Sequence, residues 1–399
     1  MHKGTSVQYN PLLPEVRENP YPYYAELRRD HPVYPLGEQG AVVVSRYEDV
    51  AFVLRSHEHF SSGAMGSLAG SGEMLIGSDP PGHTRLRSLV NRAFTPAMVA
   101  ALEPRIREVA AELLDGAESR GEIDLVSELA NPLPVTIIAE ILGVDSTLRD
   151  DFKRWSHSTV SGSAGSQTAS EDERARVAKD RQEFSDYFRQ AIEERRREPR
   201  EDLISELVRA EDEEHALTAD EVLAFTQLLL IAGNETTTNL IGNMVLALLE
   251  HPEQLERVLD DRSLIPNTVE EALRYDSPVQ FLFRTAAHDV ELAGTTIKQG
   301  TVVLPLYASA NRDERKFPDP DRFDVTRNAQ GHLAFGYGIH FCLGAPLARL
   351  EAKVALEELL ARFPRFSRKS DAVDRLESFF LRGLKELPLT IGAENHSTV

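Results

Sequence analysis

The chain has 399 residues and one cysteine, and its 64 acidic against 44 basic side chains leave a formal charge of −20. That excess argues against nucleic acid and against an anionic membrane surface as partners. One cysteine excludes internal disulfides and fits a reducing cytoplasm. Length alone suggests two or three domains, but residues that must act together are scattered from His83 to Cys342, so one domain over 1–399 is expected. The start, Met1-His2-Lys3-Gly4-Thr5-Ser6, has no apolar stretch of signal type, and the most apolar runs, 228–232 and 244–249, are far short of the ~20 residues of a membrane span. No membrane anchor is expected.

In chain order, 20–32 reads as a turn and a short helix, and Ala41-Val42-Val43-Val44-Ser45 as a strand rich in β-branched residues. A helix over about 48–56 follows. The Gly/Ser-rich stretch 61–78, with Met65 and Met74, reads as a long loop of the kind that is usually functional or disordered. Pro80-Pro81-Gly82 is a turn, and a helix begins near His83. His83 and Arg87 are four apart and share a face of it; the pair is either a solvated cationic face or a grip for carboxylates. Helices are expected over about 96–119, 126–142 and 147–158. The low-complexity segment Ser161–Ser170 is either a linker or the tip of a mobile lid over about 158–172, and the lid is preferred because site motifs fall on both sides of it. Charged helices over about 171–198 and 201–214 come next.

The longest helical pattern runs from Thr218 to about Glu250, opened by the capping box Thr218-Ala219-Asp220-Glu221. Ala232-Gly233-Asn234-Glu235-Thr236-Thr237 sits in its middle. Glycine and adjacent threonines weaken a helix, so a local break is expected there. It is either an ordinary blemish or a groove for dioxygen, with Thr236 hydrogen-bonding the oxygen and Glu235 relaying protons. Helix 266–276 carries Glu271 and Arg274 on one face. Strands are expected at about 279–286, 289–293, 295–298 and 301–306, and a hairpin with an apolar tip near 379–388. The β-rich part therefore draws mainly on about 33–47, 279–306 and 376–392.

The one cysteine lies in Phe335-Gly336-Tyr337-Gly338-Ile339-His340-Phe341-Cys342-Leu343-Gly344, just before a helix start. Gly336 and Gly338 can take positive φ and present no Cβ to a large flat group. Amides at a helix N-terminus favour the thiolate. Three readings compete: a small buried hydrophobe, a nucleophile paired with His340, and an axial haem ligand. The glycines, the aromatic at 335 and His340, all placed at once, favour the haem ligand.

Position for position, this segment resembles the Phe-Gly-x-Gly-x-His-x-Cys-x-Gly signature of the haem-thiolate monooxygenases, the cytochromes P450. The Ala-Gly-x-(Asp/Glu)-Thr-Thr pattern at 232–237, the Glu-x-x-Arg at 271–274, the His-x-x-x-Arg at 83–87 and the Pro-Asp-Arg-Phe at 320–323 follow the same family in order, over nearly the whole chain.

The resemblance implies the cytochrome P450 fold, mainly α with a smaller β-rich lobe, and a soluble bacterial, cytoplasmic, monomeric enzyme. It implies haem b with Cys342 as iron ligand, and Glu235 and Thr236 as catalytic residues. His83, Arg87, Arg284 and His340 would take the propionates, and Ala232, Gly233, Phe335, Gly336 and Gly344 would line the cofactor. Glu271, Arg274 and Arg322 would brace the Cys342 loop. Electrons would come from NAD(P)H through a ferredoxin or flavodoxin and its reductase, with Arg85, Arg92, Arg349 and Lys353 as candidate steering charges. One atom of dioxygen would enter a lipophilic molecule such as a terpenoid, steroid, fatty acid or macrolide. Candidate lining residues are Met65, Met74, Leu75, Leu228, Ile231, Ala232, Gln280, Phe281 and Phe380, with Gln280 offering one orienting hydrogen bond. The rival readings are a peroxide-driven peroxygenase and a non-catalytic haem gas sensor. An intact Glu235–Thr236 pair argues against both.

Overall fold

The computed structural model describes residues 8–37, 40–63, 75–163, 170–210 and 216–392. The chain forms two compact units, each assembled from non-contiguous segments. The first comprises 1–65, 239–342 and 364–399; the second comprises 66–238 and 343–363. The boundary at 238/239 falls inside the continuous helix Ala219–Glu250.

The first unit holds a five-stranded sheet. Val33–Leu36 pairs antiparallel with Ala41–Val44, which pairs parallel with Val302–Pro305. Arg284–Ala286 and then Phe60–Ser61 complete it, both antiparallel. The valine run explains the burial. Side chains alternate across a strand, so Val44 joins Val33, Phe60, Ala286 and Val303 on one face. Val43 joins Tyr24, Phe281, Leu304 and Leu306 on the other. A strand covered on both sides reads as a continuous apolar run. The expected strand over 279–286 is laddered only at Arg284–Ala286; Val279 and Phe281 make single bridges, to Leu381 and Leu306. The chain end folds back as expected, with Arg375 bridging Leu384, and Phe366–Arg368 pairing with Pro388–Ile391.

The second unit is helical. The helix expected over 96–119 is cut into Pro96–Ala101, Glu103–Leu114 and Ala117–Arg120. Pro104 cannot donate to a preceding turn, and Gly116, at φ +80°, turns the chain left-handed. The reading over 126–142 divides similarly: a π-turn at Val126–Ala130, then the helix Pro132–Ile141. Of the stretch expected as a lid over about 158–172, helix Arg149–Ser163 takes the first residues and helix Glu171–Arg197 the last, and 164–169 lie outside the described residues. Among the described residues no helix is long and apolar enough to cross a membrane.

Candidate active site

Two glycines set the path of the Cys342 loop. Gly336 and Gly338 sit at φ +74° and +76°. At Gly338 the demand is also steric, because an added Cβ would lie 2.8 Å from the Leu54 carbonyl oxygen and 2.9 Å from Arg55 Cα. The loop closes through the Cys342 amide donating to the Phe335 carbonyl at 2.9 Å and Phe341 donating to Gly338 at 3.1 Å. Cys342 is exposed and lies two residues before Gly344, which caps the helix Ala345–Arg362. The buried-hydrophobe reading therefore fails. His340 Nε2 meets Ser62 Oγ at 3.0 Å.

A buried polar brace holds this loop from below. Glu271 and Arg274, both fully buried, form a two-bond ion pair at 2.8 Å for each contact. Arg274 also donates to the carbonyls of Asn311, Pro320 and Arg322. Asn311 Oδ1 accepts the Leu333 amide at 2.6 Å, and Leu333 accepts the Gly336 amide at 2.9 Å. The brace thus reaches the glycine loop through Asn311. The sequence reading assigned its third cation wrongly. Arg327, not Arg322, donates to Glu271 Oε1 at 3.1 Å. Arg322 contributes only its carbonyl and turns its side chain, 59 % exposed, toward Asp324.

Arg284 is almost fully buried, donates to the Phe283 carbonyl at 2.8 Å, and has no carboxylate within ion-pair distance among the described residues. A buried guanidinium without an anion suits a carboxylate-bearing ligand. In the second unit His83 is buried and Arg87 half-buried on the helix Gly82–Ala93. Arg85 bonds Glu221, and Lys353 pairs with Glu103 at 3.0 Å and Glu357 at 3.7 Å, so neither stands as a spare steering charge.

The break expected at 232–237 is absent: Ala219–Glu250 is helical throughout. The threonines explain how. Thr236 Oγ1 donates to the Ala232 carbonyl at 2.6 Å, and Thr238 Oγ1 donates to the Asn234 carbonyl at 3.0 Å, so both hydroxyls are satisfied on carbonyls four residues back while the helix stays continuous. Gly233 packs against Ile138, whose Cδ1 would have to shift to admit a Cβ there. Ala232 is exposed and Thr236 half-buried. Burial holds the Glu235 carboxyl above the usual carboxylate range. Sequence reasoning missed Glu351, which is buried on the Ala345–Arg362 helix. Burial pushes its carboxyl up to about 8, against the smaller opposing pull of its hydrogen bond with Thr237. The signal was available: position 351 shares a stripe with the buried Leu347, Val354 and Ala355.

The substrate-contact expectations divide. Gln280 is committed: Tyr24 donates to its Oε1 at 3.0 Å and its Nε2 donates to Ser277 at 2.7 Å. Both ends of its amide are thus engaged by protein groups. Phe281 is fully buried between Phe283 and Phe379 and is core. Phe380 is half-buried against Phe379. Leu75 is buried in the turn Leu75–Gly77, and Leu228 and Ile231 are half-buried on the long helix. Met65 and Met74 lie outside the described residues.

A lone thiol held by a glycine-bracketed loop ahead of a helix, braced by a buried Glu-Arg-Arg cluster in a mainly helical chain with small sheets, is the construction of a haem-thiolate protein. Comparison with known proteins agrees. The Cytochrome P450 family model matches residues 167–390. The vitamin D(3) 25-hydroxylase of Pseudonocardia autotrophica is 44% identical over 390 residues, 94% of each chain. Cytochrome P450 CYP109Q5 from Chondromyces apiculatus superposes with TM-score 0.90 at 49% identity, covering 97% of this chain and 98% of that one. CYP109E1 from Bacillus megaterium, solved in complex with testosterone, superposes with TM-score 0.87 at 43% identity, covering 94% and 100%. The chain belongs to the cytochrome P450 family and is a monooxygenase of the bacterial type, with haem iron as the family's cofactor.

Proposed function

We propose that this monooxygenase hydroxylates or epoxidises a steroid-like lipophilic molecule, with electrons from NAD(P)H delivered by a ferredoxin or flavodoxin and its reductase. Support for the substrate class comes from the relatives: one is named for vitamin D(3) and one was solved with testosterone. The observation that carries the cofactor assignment is the Cys342 loop, whose path is set by Gly336 and Gly338 at positive φ and whose thiol is exposed just ahead of the helix Ala345–Arg362.

Haem b would be held by Cys342 through its sulfur, and by Arg284, His340, His83 and Arg87 through its carboxylates. Ala232 and Gly233 on the long helix, and Phe335, Gly336 and Gly344 on the loop, would lie against it. When bound, the haem supplies the iron chemistry that divides dioxygen between substrate and water. The chain's own work is narrower. Burial lets the Glu235 carboxyl hold a proton at a higher pH than an exposed glutamate. Thr236 Oγ1, now donating to Ala232, can turn to donate elsewhere at the cost of one helix-supporting bond. Leu75, Leu228 and Ile231 contribute apolar surface that keeps water out.

The test is a spectral titration of haem-loaded protein with a steroid, a secosteroid, a fatty acid and a macrolide, followed by reductase-driven turnover of each binder. Steroid-class binding with oxygenated product supports the reading; binding confined to the fatty acid or macrolide overturns the substrate class. Thr236→Ala is expected to lower product per NAD(P)H by on the order of 10-fold or more while substrate binding persists. Unchanged coupling would remove Thr236 from proton handling.

A further inference from the structure

Far along the chain from the cysteine loop, two histidines meet nitrogen to nitrogen. His59 Nδ1 and His288 Nε2 lie 2.8 Å apart, with ring centroids 4.8 Å apart and planes at 78°. The backbone fixes the approach. Phe60 and Ser61 pair with Ala286 and Thr285, and the Ala287 amide donates to the His59 carbonyl at 2.8 Å. The His59 ring also rests against Phe52, 5.8 Å between centroids. His288 is exposed and His59 half-exposed, so the pair faces solvent. The nearby Asp289 is already engaged by Lys298 at 2.8 Å and by the Gln299 amide at 3.0 Å.

We propose that His59 and His288 form a two-imidazole site for a borderline divalent cation that prefers 90° ligand angles, Ni2+ or Cu2+, with water in its other positions. Two neutral imidazoles can share this contact only through one proton, which a metal can replace. Imidazole suits these metals, and tetragonal nitrogen–oxygen sites select Cu2+ or Ni2+. The 2.8 Å contact is that of one shared proton, and the strand pairing holds the two rings adjacent, so a small swing of the rings would aim both lone pairs at one ion without moving the sheet. His59 immediately precedes the edge strand Phe60–Ser61 and His288 follows its neighbour Arg284–Ala286, so a bound ion would also clasp that edge.

The experiment is calorimetric titration of untagged, haem-loaded, chelator-stripped protein with Ni2+ and separately with Zn2+, alongside His59→Asn and His288→Asn. Neither residue belongs to the proposed cofactor or substrate machinery, so the carbon-monoxide spectrum of each variant reports that the protein is folded. The expected result is one saturable Ni2+ site, tighter than any Zn2+ site, and weakened on the order of 10-fold or more in either variant. Ni2+ should raise the melting temperature of the parent and not of the variants. Absence of a saturable site in the parent, retention of it in both variants, or Zn2+ binding more tightly than Ni2+ would overturn the assignment.

Discussion

Replacing Gly338 by alanine tests whether the cysteine loop is shaped for a reason. The added methyl group would meet the Leu54 carbonyl oxygen at 2.8 Å and Arg55 Cα at 2.9 Å, and neither is the end of a side chain that could rotate away. A left-handed backbone at a non-glycine residue costs about 1–2 kcal/mol, and overpacking against fixed atoms adds about 1–3 kcal/mol. The expected loss is therefore ~2–5 kcal/mol. Gly336→Ala supplies the internal control, because its φ is equally positive but its nearest neighbour is the His340 oxygen at 3.8 Å. It should lose only the conformational share, about 1–2 kcal/mol. Denaturant midpoints of the two haem-loaded variants, with the fraction that keeps a thiolate-type carbon-monoxide spectrum, measure the difference. If Gly338→Ala proves no worse than Gly336→Ala, the steric argument is wrong.

Glu351→Gln tests the buried carboxyl. Its folded value of about 8 stands above its ordinary 4.5, so wild-type stability is intact below about 4.5 and is lost as pH rises through that window toward 8. The glutamine variant should match wild type near the acid end and exceed it by up to about 3 kcal/mol at pH 7; parallel stability curves would refute the shift. Arg327→Ala strips one partner from a buried carboxylate and should cost about 3–5 kcal/mol, read as a lower denaturation midpoint and poorer haem retention. Arg322→Ala, whose side chain is exposed, should stay within about 0.5 kcal/mol. Equal effects would contradict the assignment of the brace.

How much of this was written in the sequence depends on what each residue type can signal. The Cys342 loop was legible because glycine, histidine and cysteine have few reasons to recur at that spacing. The valine run at 42–44 was legible as a strand, though not which valine faces which core. Arg322 and Arg327 show the limit. Both follow the same proline-rich turn, and only the path of the backbone decides which guanidinium reaches Glu271. Gln280 and Phe281 read as pocket residues because a polar and an aromatic residue after a proline resemble a lining. Tyr24 and Phe379, distant in sequence, claim them for the core instead. The Thr236 region misled for another reason. Threonine hydroxyls can break a helix or be absorbed by it, and here they bond the carbonyl four residues back without interrupting it.

The most direct measurement is the carbon-monoxide difference spectrum of the reduced, haem-loaded chain beside that of Cys342→Ser. The account predicts a strongly red-shifted Soret band in the parent and its loss in the variant, with haem content reduced but not abolished. A parent whose band sits where nitrogen-ligated haem proteins place theirs, or a Cys342→Ser protein that keeps the red-shifted band, would contradict it.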